Sequence, residues 1–150
     1  MGSGYIYHCK KCNKKHQTFL GYGMMFPKIY KELIDGIYKG DFGEEVQKLI
    51  KSKPNLAINA NKEIYLCRHC NNWNIEFILD IYEPTTKLKE VPEYVTEYDL
   101  KSNYKLIKKH IHKCPECGKR THKLNDNETN CLPCPNCKTQ MTISGFIDWD

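Results

Sequence analysis

Four Cys-x-x-Cys pairs, Cys9/Cys12, Cys67/Cys70, Cys114/Cys117 and Cys134/Cys137, take up eight of the nine cysteines in this 150-residue chain. Two cysteines separated by two residues can turn both sulfurs toward one point. Two such turns brought together surround that point with a tetrahedron of sulfur. The chain must therefore bring its pairs together two by two, and everything else it folds has to allow that. An odd cysteine count does not close into a set of disulfides, and paired thiols in a reducing compartment read as metal ligands first.

Coupling neighbouring pairs is the simplest assignment. Sixteen residues separate Cys117 from Cys134, inside the spacing of a single four-cysteine zinc site. Between Cys12 and Cys67 lie 54 residues, so the same coupling there requires an insertion. That insertion reads as a helical hairpin. Ile29, Tyr30, Leu33, Ile34, Ile37 and Tyr38 form one apolar stripe, with Pro27 suited to the first turn and Gly40 to the stop. A second helix is expected with Asp41 as cap, Glu44 completing a capping box, an apolar face of Phe42, Val46, Leu49 and Ile50, and an end before Pro54. Strand-like residues flank the pairs: Tyr5–Tyr7, Ile64–Leu66 and the run from Ile75 to Tyr82.

The knuckles Cys114-Pro-Glu-Cys117-Gly and Cys134-Pro-Asn-Cys137 resemble those of the zinc-ribbon (rubredoxin-like) class. The likeness covers residues 5–19, 63–82 and about 104–147. It implies small antiparallel ribbons, each a three-stranded metal-bound sheet, with the eight cysteines as ligands of two structural Zn²⁺, and it implies no activity. Cys9-Lys-Lys-Cys12 and Cys67-Arg-His-Cys70 lack the proline, so their assignment rests on spacing. Cys131 stands three residues before Cys134 and offers an alternative pair with it; the preferred ligand pair is Cys134/Cys137. His69, His112 and His122 are substitute ligands of lower rank. Iron in the same cage would make a rubredoxin-like electron carrier instead.

The expected fold is α+β: a zinc ribbon with an inserted helical hairpin over 1–83, a connector over 84–103, and a second ribbon over 104–150. Met1-Gly2-Ser3-Gly4 looks like an appended scar and not the start of a signal segment. No apolar run approaches the roughly 18 residues of a membrane span, and no secretory signal pattern is visible, so the expected address is the cytoplasm.

The formal charge of +5 falls to about +1 once two four-thiolate zinc sites, each −2, are counted, so only the distribution of charge bears on partners. Lys105, Lys108, Lys109, Lys113, Lys119, Arg120 and Lys123 form a basic stretch able to track phosphates or meet an acidic partner. Lys10, Lys11, Lys14 and Lys15 surround the first knuckle. Tyr22, Met24, Met25 and Phe26 form a loop that either grips a partner or seats the helical hairpin. There is no Gly-rich phosphate loop, no Gly-x-Ser-x-Gly and no His-Glu-x-x-His, and no small-molecule substrate is evident. The expectation is a non-enzymatic zinc protein that docks a macromolecule, a protein ahead of nucleic acid.

Overall fold

The computed structural model describes residues 2–150 and is mixed α+β, as expected. In chain order the elements are β1 (Gly2–His8), β2 (Lys15–Gln17), α1 (Phe26–Lys39), α2 (Glu44–Ser52), β3 (Ala57–Ile58), β4 (Lys62–Leu66) and β5 (Trp73–Phe77). There follow β6 (Ile81–Pro84), α3 (Glu97–Asn103), β7 (Tyr104–Lys108), β8 (His122–Lys123), β9 (Cys131–Pro133) and β10 (Gln140–Trp149).

These elements form two compact units that alternate along the sequence: residues 2–23, 62–77 and 111–150, and residues 24–61 and 78–110. This corrects the reading of successive blocks 1–83, 84–103 and 104–150. The reason lies in the first unit, whose outer sheet runs β2-β1-β10-β9 and so joins the two ends of the sequence. Seven residue pairs link β1 to β10 antiparallel, from Gly2 opposite Trp149 to His8 opposite Thr142. Gly2 and Gly4 are thus strand residues and not an appended scar, and a Cβ at Gly4 would collide with the carbonyl oxygen of Thr18. The second sheet of this unit runs β5-β4-β8. Tyr7, Leu20, Ile64, Leu124, Leu132 and Met141 fill its core, together with Cys9 and Cys134. The buried Tyr7 hydroxyl donates to the Thr129 carbonyl at 2.7 Å, and burial raises its pKa well above the usual phenol value. Trp73 Nε1 donates to the Pro133 carbonyl at 2.8 Å, tying β5 to β9.

The second unit holds the three α-helices of the described residues and the sheet β3-β6-β7. The α1 stripe buries Phe26, Tyr30, Leu33 and Ile37, and the helix ends as its sequence indicates, on Gly40 in the left-handed conformation with its amide donating to Gly36 and Ile37. The capping box expected for α2 does not form: the helix opens after Gly43, at φ 101°, with no side-chain cap. Asp41 lies ahead of this glycine, and its amide instead donates to Gly36 as part of the α1 stop. A true capping box occurs at α3, inside the stretch read as a connector, where Thr96 and Asp99 exchange side-chain and backbone hydrogen bonds. Among the described residues no helix is long and apolar enough to cross a membrane.

Candidate metal centres

All four knuckles have one construction. The first cysteine of each pair donates its amide to the carbonyl five residues on: Cys9 to Lys14, Cys67 to Asn72, Cys114 to Lys119 and Cys134 to Thr139, at 2.8 to 2.9 Å. The residue just before that carbonyl carries a positive φ each time, at Asn13, Asn71, Gly118 and Lys138. Asparagine and glycine tolerate this region best, so the turn is written into three of the four sequences. In every pair the first cysteine is buried and the second half-exposed, which aims both sulfurs inward from a hairpin tip.

The knuckles do not couple as neighbours. Cys9 and Cys12 meet Cys134 and Cys137, while Cys67 and Cys70 meet Cys114 and Cys117. The expected grouping of Cys9, Cys12, Cys67 and Cys70, with a separate Cys114, Cys117, Cys134 and Cys137, is therefore replaced by a nested one. Enclosing 121 and 43 residues in place of 54 and 16 raises the loop-closure cost by only about 2 kcal/mol. The β1–β10 ladder and its buried core offset that easily.

Within each group the ligand sulfurs lie within 4.8 Å of one another. The closest approaches are Cys9 to Cys137 at 3.4 Å, Cys12 to Cys134 at 3.6 Å, Cys67 to Cys117 at 3.5 Å and Cys70 to Cys114 at 3.6 Å. A disulfide is near 2.05 Å, whereas tetrahedral thiolates about 2.3 Å from a metal stand about 3.8 Å apart. All nine cysteines are free thiols, and the two groups fit a metal ion each.

The electrostatics agree. At Cys114 the amides of Cys117 and Glu116 outweigh burial and bring the thiol down to about 6. At Cys137 the side chain and amide of Thr139 do the same, again to about 6. At Cys12 the Lys14 amide pulls down, but burial and the thiols of Cys9, Cys134 and Cys137 push it up to about 11. Cys117 likewise rises to about 12 against the pull of the Lys119 amide. Four crowded sulfurs cannot all ionise alone; a cation in their midst lets them.

Around the sulfurs, Asn72 Nδ2 donates toward Cys114 at 3.9 Å, and His16 Nε2 lies 3.9 Å from Cys134. Cys131 belongs to neither group; exposed on β9, it donates to Gln140 Oε1 at 3.2 Å. The three substitute histidines are also elsewhere: His69 is exposed, the His112 ring packs on Tyr65 at 4.2 Å, and His122 Nε2 accepts from Arg68 Nε at 3.0 Å.

The basic stretch is divided. Lys105 pairs with Glu83 at 2.9 Å and Lys108 with Glu45, both within the helical unit, where Lys109 also lies. Lys113, Lys119, Arg120 and Lys123 are exposed beside the inner metal centre. In the loop before α1, Met24 and Met25 are 80% and 56% exposed, but Phe26 is buried with its ring edge-on to Tyr94 at 5.9 Å. Phe26 seats the helix, Tyr22 is half-buried, and the two methionines are exposed.

No family model, characterised protein or solved structure matches the chain. Its class accordingly rests on the centres themselves: a mixed α+β protein with two four-cysteine groups able to hold metal.

Proposed function

We propose that each sulfur tetrad holds one structural Zn²⁺ and that the chain is a non-catalytic module that docks a protein partner. The observation that supports this is the gathering of four sulfurs within 4.8 Å in each group: bound to one ion, they would complete a tetrahedral shell and leave no position for water or substrate. Zinc suits such a cage because it neither changes oxidation state nor demands another geometry. Structural zinc contributes roughly 10–16 kcal/mol in comparable peptides at neutral pH, which would add to the core formed by Tyr7, Leu20, Ile64, Leu124, Leu132 and Met141. Exposed Met24 and Met25 supply adaptable apolar contact of the kind used at protein interfaces.

Elemental analysis of the purified chain, followed by chelator titration under circular dichroism, tests the reading. Two zinc per chain and loss of ordered strand signal on chelation are expected. A coloured preparation with bound iron would put electron transfer in its place. The double variant M24S/M25S should keep both metals and lose partner capture at low and high salt alike; unchanged capture would remove these residues from the interface.

A further inference from the structure

Both metal centres carry lysines, but in unequal measure. Nesting brings Lys138 of the last knuckle onto the outer centre beside Lys10, Lys11, Lys14 and Lys15 of the first, a grouping that no stretch of sequence shows. All five are exposed, and none forms an ion pair among the described residues. Residues 2–31 and 129–147, which build both outer knuckles, contain no Asp or Glu. A four-thiolate zinc site is formally −2, so five lysines exceed what the cage needs and leave about +3. At the inner centre Arg68 is already paired with Glu128 at 3.2 Å, and Lys113, Lys119, Arg120 and Lys123 share their segment with Glu116. By the same reckoning the inner surplus is about +1. The solvent face of the outer sheet continues the collar with His8, Gln17, Gln140 and Thr142, polar groups that can donate to phosphate oxygens.

We propose that the lysine collar of the outer centre binds the phosphate backbone of a nucleic acid. Lysine is depleted at protein–protein interfaces, which favour Tyr, Trp, Met and Arg, and none of these four stands within either outer knuckle. Five flexible point charges without the planar fork of arginine suit backbone contact without base reading. This surface is separate from the methionine pair, and it rests on the metal reading only in that a filled outer centre holds the two knuckles together.

The test uses the full zinc-loaded chain, with metal content measured on each sample, and fluorescence anisotropy of labelled 20-nucleotide oligothymidylate and of a 20-base-pair duplex. Five neutralised phosphates predict a slope of log affinity against log salt of about −3.5 for the single strand and about −4.5 for the duplex. The variant K10Q/K11Q/K14Q/K15Q/K138Q should keep both metals and bind at least about 30-fold more weakly at 0.1 M salt. K113Q/K119Q/R120Q/K123Q, which removes nearly as much charge at the inner centre, should stay within about threefold. Equal losses from both variants, salt-independent binding, or no binding by a chain carrying two zinc would each overturn the proposal. So would polyglutamate competing as well as the oligonucleotide at equal charge, which would make an acidic protein the partner. A sample with fewer than two zinc would count against the metal reading and not against the collar.

Discussion

The two metal centres share one knuckle design and differ in what else holds them. Behind the outer centre stand seven β1–β10 pairs and the buried residues Tyr7, Leu132 and Met141. The inner centre closes on two β4–β8 residue pairs, Tyr65 with Lys123 and Leu66 with His122, extended by the Leu124 amide on Ile64 and a single bridge between Lys113 and Arg120. The same sulfur geometry thus stands in two settings. The outer group sits on a sheet that itself joins distant parts of the sequence, whereas segment 111–124 beside the inner group has a shorter strand pairing, so a metal bound there is expected to contribute more to its order.

The strongest way to break that contrast is to remove one ligand from each centre. Cys114→Ser should release the inner metal and abolish amide-exchange protection across 111–124, while β1 and β10 keep theirs. Cys134→Ser should release the outer metal yet leave measurable protection along the β1–β10 ladder. Equal collapse in both variants would show that the ladder has no stability of its own.

Acid offers a graded version. A thiol with a lowered pKa makes its contribution above the ordinary thiol range and loses it as pH falls through the lowered value. Each group must hold its sulfurs unprotonated to bind a metal, and each contains one thiol lowered to about 6, Cys114 or Cys137, and one raised to about 12 or about 11, Cys117 or Cys12, so both metals should be retained at pH 8 and lost over the same range on acidification. Metal content after gel filtration at stepped pH checks this, and release of one metal well before the other would mark a difference in the ligand shells.

Packing should separate the centres more modestly. Leu132 is fully buried behind the outer centre, so Leu132→Ala should cost about 2–5 kcal/mol in urea unfolding. Leu66 is only half-buried beside the inner one, and its truncation should cost less than half as much. The smallest effect belongs to an inner contact with no outer counterpart. Arg68→Ala removes an exposed ion pair with Glu128 and should shift stability by less than about 1 kcal/mol.

Much of this was legible in the sequence because it is local. The α1 stripe, its Gly40 stop and the strands at Tyr5–Tyr7 and Ile64–Leu66 are decided within a few residues, and the structure keeps them, whereas the expected run from Ile75 to Tyr82 is broken at Leu79, with φ 59°, into β5 and β6. The α3 capping box was equally local, in Thr96-x-x-Asp99, but was masked by Pro84, Pro92 and the charges around it. The coupling of knuckles was not legible, because spacing argues only through loop entropy. A penalty of about 2 kcal/mol cannot compete with a seven-pair ladder. That ladder was hidden in turn by Gly2-Ser3-Gly4, whose glycines look like an appended scar but allow close approach to Thr18 and Trp149. The division of the basic stretch between the two units at residue 111 is likewise invisible in the sequence, where its lysines run on without a break.

Nesting itself is tested most directly by counting zinc in two double variants of the purified chain. In C9S/C137S both lost ligands belong to the outer centre, so one zinc per chain should remain; C9S/C67S damages both centres and should retain none. The opposite result, none in C9S/C137S and one in C9S/C67S, would restore the coupling of neighbouring pairs and contradict the nested architecture.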